Sequence, residues 1–581
     1  MVKLKSERVR ALISVAGALM MLTACTVAAP TGRVRLSTAS LLWDAEARTL
    51  QAALDAIERA ACDGADLVAL PQECVPTEGE PIPGPIFNEL AHEAFRWGIY
   101  VAGCLRERDG DKTYLTGFLI DPRGELVGKY RKSHRLPHES IALGDDLPVF
   151  ETEFGTIGIT IGTDHFFPEI DRVLGAKGAG TIIWCTAPWP WRNEYPIDIV
   201  LRGRARDFYL NYVVSRYYGI EGYGGYEKSY SGYTARWPIG RAYVIRRRGL
   251  VVASTGYNGG GVATATLDMR DVAGRGRAPS GYLKKGLYHE IGGPTPPPNE
   301  SEYAKRRIKV AVVESEQNFD RLLEKLDLAG QLGADIVGNW EYVWSTKLEA
   351  EECQRRLAAI GEVAARHQMY ILFGGYLNRP HYNDGLLWDR SGKIIGRFTK
   401  IHVTTFGKKV GQIGGTECPV FETDFGRIGV KICADEGSPE IDRVYGLKRA
   451  DLIFHPTQSA GPYAAARELR DKRRAIDNGC WFVSINNPSA EADHRSFIID
   501  PWGYIVAASN FAEASVFVHE IDLDRRPAYY VWPAGTCLDP GAPDPWKQKQ
   551  SPKKAGDLRE VIMQQRRPQL YQLIGSAPKA D

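Results

Sequence analysis

Three residues of this sequence carry groups that together can do acyl chemistry: Glu341, Lys400 and Cys433, each placed where an extended run of residues gives out. A thiol becomes a strong nucleophile when a base or a neighbouring cation helps remove its proton. A lysine offers a fixed positive charge to a developing oxyanion. A glutamate can take up and return protons. Singly, each has a blander reading: a small buried cysteine and two solvated charges.

The setting of Cys433 gives the first reason to prefer the chemical reading. The apolar, β-branched run Ile428 to Ile432 predicts a buried strand. It stops at Cys433-Ala434-Asp435, and Gly437 and Pro439 turn the chain toward a helix. A thiol at such a corner can be exposed, with backbone N–H groups pointing at whatever binds there.

That phrase occurs twice. Phe150-Glu-Thr-Glu-Phe-Gly-Thr-Ile-Gly-Ile-Thr-Ile-Gly-Thr-Asp164 stands 271 residues before Phe421-Glu-Thr-Asp-Phe-Gly-Arg-Ile-Gly-Val-Lys-Ile-Cys-Ala-Asp435, and each is followed by Pro-Glu-Ile-Asp-Arg. Self-similarity at a fixed long offset marks a duplicated domain. Gly64-Ala-Asp-Leu-Val matches Gly333-Ala-Asp-Ile-Val, and both runs finish on a glutamate, Glu73 and Glu341. Gly128-Lys-Tyr-Arg-Lys132-Ser-His matches Gly396-Arg-Phe-Thr-Lys400-Ile-His. Glu73 and Lys132 each precede their counterparts by 268 residues, so the Glu–Lys spacing is the same in both copies. At the position of Cys433, however, the first copy has Gly162.

At 581 residues the chain exceeds what one core supports, and two domains are expected. Strand and helix patterns alternate within each half, as in Thr49–Cys62 and Phe319–Leu332, each helix followed by a strand. The reading divides the chain into a signal segment (1–29), a first domain (33–291), a proline-rich linker (292–304), a second domain (305–530) and a tail (531–581). The linker reads as stiff and standing clear of the domains. The tail's apolar-periodic stretch, Leu558 to Ile574, reads either as packed on the body or as a disordered end. A net charge of +2 gives no electrostatic case for nucleic acid. The ten cysteines form no C-x-x-C pair or zinc-spaced cluster, which argues against a disulfide framework and a structural metal.

The chain opens with Lys3, Lys5, Arg8 and Arg10, then the apolar stretch Ala11 to Ala24, closed by Leu22-Thr23-Ala24-Cys25. This resembles a bacterial lipoprotein signal, with Cys25 as the lipidated residue. It makes the expected protein exported, either anchored to a membrane through lipid or periplasmic or extracellular.

With these motifs in place the sequence resembles the nitrilase superfamily of carbon–nitrogen hydrolases, over both halves. The resemblance implies an α/β fold: two αββα four-layer sandwich domains arranged as an internal pseudo-dimer. It implies Glu341 as general base, Lys400 as oxyanion stabiliser, Cys433 as nucleophile and the Ala434 amide as second oxyanion donor. It implies no metal or organic cofactor and a small-molecule amide or carbamoyl substrate, and leaves further oligomerisation open. Three departures bear on activity. Gly162 leaves the first site, with Glu73, Lys132 and Glu139, without a nucleophile. The family's second glutamate after the lysine, present as Glu139, is replaced by Gly407 and Lys408 in the second copy. Cys433-Ala434-Asp435 stands nearer the amidase branches than the nitrile hydrolysers. Two alternatives remain: an N-acyltransferase using the same thioester, and a surface-anchored binding protein derived from an inactive hydrolase. The run Tyr217 to Tyr226 reads as a pocket wall or an inter-domain loop.

Overall fold

The computed structural model describes residues 32–42, 49–137, 139–187, 197–218, 241–256, 259–269, 287–298, 301–315, 317–341, 348–375, 379, 381–459, 462–488, 495–510, 515–531 and 553–575. The signal segment with Cys25 and residues 219–226 of the tyrosine-rich run lie outside them. Among the described residues no helix is long and apolar enough to cross a membrane.

In the second copy, strands alternate with helices so that two sheets are closed in by helices. One sheet runs Ile394–Thr399, Asp384–Trp388, Tyr370–Gly375, Ile336–Asn339, Arg307–Val313, Val516–Asp522. The other runs Val420–Glu422, Arg427–Val430, Leu452–Pro456, Trp481–Ile485, Phe497–Ile499, Ile505–Ala508. The central strands of both are nearly continuous in buried residues, as strands covered on two faces must be. The sheets approach closely at Gly338, where an added Cβ would lie 2.6 Å from Ile485 and 2.9 Å from Phe454. Helices Phe319–Gln331 and Ala350–His367 cover the first sheet, and Pro439–Leu447 and Pro462–Asn478 the second. Asn318 caps the first of these by accepting from the Arg321 N–H, and Leu322, Leu326 and Ala329 form its buried face.

The first copy repeats this order, with one addition. Ser40–Leu42 pairs in parallel with Arg216–Tyr218, so its two sheets merge into one of twelve strands. Its helix Leu50–Cys62 starts one residue after the expected Thr49, which is the N-cap. The strands before the two glutamates are shorter than the sequence suggests. They end at Ala69 and Asn339, and Glu73 and Glu341 sit in the turns beyond.

The halves meet through the helices that follow the repeated phrase, and the contacts are reciprocal. Arg172 pairs with Glu440 at 2.7 Å and its counterpart Arg443 with Glu169 at 2.8 Å. Arg204 pairs with Asp477 at 2.8 Å and its counterpart Arg474 with Asp207 at 3.2 Å. Such exchange is the signature of a two-fold interface, here within one chain. The linker does not stand clear: the Pro296 carbonyl accepts from Arg449 and Thr295 from Arg566, because buried arginines of the second domain and of the tail find partners there. Of the tail, residues 558–575 pack on both halves. Arg559 donates to the Ala450 carbonyl of the second copy, and Arg566 pairs with Glu169 of the first.

Candidate active site

In the second copy Lys400 and Glu341 meet directly. Both are buried, and Lys400 Nζ donates to Glu341 Oε1 at 2.7 Å. Asn383 Nδ2 donates to the same oxygen at 2.7 Å, and the Asn383 carbonyl accepts from the Lys400 N–H at 2.8 Å. The other oxygen, Glu341 Oε2, is buried with no hydrogen-bond partner among the described residues. It is open to a proton from the thiol or from a bound molecule.

Cys433 completes the group. It begins a 3-10 turn, Cys433–Gly437, at the end of its strand, with φ of 45°. A left-handed backbone at a cysteine is strained, and such strain collects at functional corners. Cys433 and Ala434 keep partly exposed sides while Glu341 and Lys400 behind them are sealed. Burial, and then the Glu341 charge, push the thiol up to about 12, against the pull of Lys400 and the Gln458 backbone N–H. The resting group is therefore a thiol, and the neighbouring cation does not by itself make it a thiolate. Burial opposes the charge on Lys400, but Cys433 once ionised, the Glu341 charge and the hydrogen bond to Glu341 outweigh it and raise the ammonium's pKa.

Two further groups hold the corner. Asp435 accepts from the backbone N–H groups of Ile432 at 3.0 Å, Ile401 at 3.1 Å and His402 at 2.7 Å. One carboxylate thus ties the residue before Cys433 to the residue after Lys400. Burial would raise this carboxyl, but its bonds to His402 bring it below the usual carboxylate range. Beneath the corner, His455 Nε2 lies 3.3 Å from the Cys433 carbonyl, and its Nδ1 lies 3.0 Å from Asp471. Lys431 bridges Asp471 and Asp442. Asn383, Lys431 and His455 were not singled out from sequence. Lys431, a lysine in the otherwise apolar run Ile428 to Ile432 and two residues before the cysteine, was the available signal.

The first copy keeps the residue types and changes their partners. Arg106 binds Glu73 at 2.7 Å, whereas the equivalent position in the sequence of the second copy is a tyrosine, Tyr376. Lys132 pairs with Glu139 instead of with Glu73, and Glu139 also accepts from Thr163 at 2.6 Å. Gly162 has φ of +49°, so the corner has the same backbone form as at Cys433. A Cβ there would lie 2.5 Å from Gln72 Oε1 and 3.5 Å from Lys132 Nζ. Lys132 still faces the position a nucleophile would take, and Gln72 covers it. Residues 161–170 are buried throughout. Tyr217 holds the turn of this site from behind, donating to the Gln72 and Glu73 carbonyls at 2.8 Å each.

At the position of the missing second glutamate, Gly407 is covered by neighbouring side chains. A Cβ at Gly407 would lie 2.1 Å from Gln412 Oε1 and 2.8 Å from Val403, so no side chain fits there without rearrangement.

The sequence profile of carbon–nitrogen hydrolases matches residues 33–276 and again 306–530. The chain belongs to the carbon–nitrogen hydrolase family, as a tandem duplicate, and is an enzyme of that class. Among its relatives is a probable nitrilase of Schizosaccharomyces pombe, 29% identical over 206 residues, 33% of this chain and 74% of that protein. An omega-amidase of Xenopus tropicalis is 30% identical over 194 residues, 29% of this chain and 68% of that protein. Among solved structures, Saccharomyces cerevisiae Nit3, of branch 10 of the nitrilase superfamily, is 25% identical. It covers 41% of this chain and 93% of its own, with a TM-score of 0.35.

Proposed function

We propose that this chain hydrolyses the carbon–nitrogen bond of a small amide or carbamoyl compound through a thioester on Cys433. The observation that carries the reading is the sealed Glu341–Lys400 pair, with one carboxylate oxygen unpartnered, behind a partly exposed cysteine at a strained corner. Glu341 takes the thiol proton as Cys433 Sγ bonds to the carbonyl carbon. Lys400 and the Ala434 N–H receive the oxyanion. The carbon–nitrogen bond breaks as Glu341 returns its proton to the leaving amine. Water then attacks the thioester, losing a proton to Glu341. The carbon–sulfur bond breaks and the thiol takes that proton back. A resting pKa near 12 suits this order, because the proton leaves during attack and not before it.

The relatives support an amide or carbamoyl substrate. One is named for omega-amidase activity, and another, from Solanum lycopersicum, is an N-carbamoylputrescine amidase, 30% identical over 171 residues. The first copy, with no nucleophile and a closed, re-paired site, is structural. The test is ammonia release from a panel of amides, carbamoyl compounds and nitriles by purified protein. Activity on amides or carbamoyl compounds that vanishes in Cys433→Ser is expected. Activity confined to nitriles would overturn the substrate class.

We also propose export and lipid anchoring through Cys25, on the basic start and apolar run that precede it. Labelled palmitate should appear in the wild type and not in Cys25→Ala. Equal labelling of both would rule the anchor out.

A further inference from the structure

A second repeat lies beyond the two matched regions. Leu287-Tyr288-His-Glu-Ile291-Gly292 follows the first copy, and Leu570-Tyr571-Gln-Leu-Ile574-Gly575 follows the second, 283 residues on. Each ends in a short helix, His289–Gly292 and Gln572–Gly575. The two helices meet so closely that a Cβ on Gly575 would lie 2.5 Å from the Gly292 nitrogen. Each arm also docks on the other copy. Gln572–Gly575 packs on Pro168–Ala176 of the first half, and His289–Gly292 packs on Pro439–Leu447 of the second.

The exchange places one buried tyrosine on each site's histidine. His134 and His402 are equivalent, each two residues after the site lysine. Tyr571 bonds His134 Nε2. Tyr288 lies 3.2 Å from His402 Nε2 and 2.9 Å from Ser438 Oγ. Beyond the histidines the two sites differ. His402 Nδ1 is 3.1 Å from Asp435 Oδ1, the carboxylate that fixes the backbone beside both Lys400 and Cys433. His134 Nδ1 turns instead to Ser133 Oγ at 2.8 Å, and Asp164 takes the Tyr130 hydroxyl at 2.8 Å. Only the first copy's arm therefore leads, through one histidine and one carboxylate, to a nucleophile.

We infer that Tyr288 is a positioning residue for the reaction at Cys433, so that the first copy completes the second copy's active site in spite of lacking a nucleophile. The inference rests on the Glu341–Lys400–Cys433 reading. With phenylalanine at 288, His402 Nε2 loses the Tyr288 hydroxyl, its ring is less restrained against Asp435, and the two backbone anchors loosen. Tyr288 is fully buried, so the loss belongs in kcat.

The experiment compares Tyr288→Phe with Tyr571→Phe, the same isosteric change on the equivalent buried histidine. Ammonia release, kcat, KM and Tm are measured on the full chain. Tyr288→Phe should lower kcat about tenfold with KM within about twofold of wild type. Tyr571→Phe should lower Tm about as much as Tyr288→Phe does and leave kcat unchanged. In a His402→Gln background Tyr288→Phe should have no further effect on kcat, because the tyrosine acts through that ring. An unchanged kcat in Tyr288→Phe, or an equal fall in both variants, would overturn the inference. Cys433→Ala separates the two failures. Its turnover is lost if the site reading holds, and the tyrosine pair then decides the inference alone. Its turnover is kept if the reading fails, and the inference falls with it.

Discussion

Glu341 has two opposed effects on Cys433. Its negative charge keeps the proton on the thiol, with burial the larger cause, yet in the proposed mechanism it is also the group that removes that proton during attack. Substituting it separates these effects. In Glu341→Gln the thiol loses a charge that raised its pKa and keeps Lys400, which lowers it. Alkylation of Cys433 by iodoacetamide at about pH 8 should then be faster than in wild type. Amide turnover should fall by about a hundredfold or more, since the base is gone. Slower alkylation together with lost turnover would mean that Glu341 only shapes the corner. Lys400 and Glu341 were legible in sequence from their equal spacing in the two copies. Asn383 was not, because its role depends on a backbone carbonyl and a side chain acting together on Lys400 and Glu341.

At the scale of elements, the strand-to-turn corner is the unit on which the proposed chemistry rests, and its backbone form is preserved in both copies. What differs is the packing behind it. Trp184 Nε1 donates to the Gly162 carbonyl at 3.0 Å, where the second copy uses His455 on Cys433. Gln72 lies over the first corner, whereas its counterpart Trp340 turns away to donate to the Ser315 carbonyl at 2.7 Å. Restoring sulfur alone is therefore not enough. The double variant Gly162→Cys, Cys433→Ala should release no ammonia above the Cys433→Ala background. Measurable turnover would show that the first site had lost only its nucleophile. The repeated phrase, the corner and the helix after it could be read from the sequence because β-branched runs, glycine and proline act locally. The shorter strands before Glu73 and Glu341, and the exchange of partners around Glu73, could not. Those depend on side chains far apart in sequence, such as Arg106, 33 residues from Glu73.

At the scale of the whole molecule, the halves are joined by paired buried arginines and carboxylates. Glu169 faces Arg443 and Arg566, and although burial opposes its charge these hold it at about 2. Its folded pKa is depressed, so its contribution is present above the unfolded value of about 4.5 and is lost as pH falls from there toward about 2. The shift corresponds to about 3 kcal/mol. Tm followed from about pH 6 to about pH 2 should fall across that window in wild type. Glu169→Gln should start from a lower Tm and fall less across the same window. An equal fall in both would place the acid sensitivity elsewhere. The duplication and the αββα layers were legible at this scale, because an offset repeated through many residues survives local change. The exchanged arms were not, because their offset of 283 differs from the 268 and 271 of the domains and their meaning lies in which half they touch. The central claim, one reactive site in a two-copy chain, is tested most directly by ammonia release and peptide mass mapping on the same acid-quenched amide reaction. The account predicts an acyl adduct on Cys433 in wild type, and neither adduct nor ammonia in Cys433→Ala. Ammonia release that persists in Cys433→Ala would contradict it.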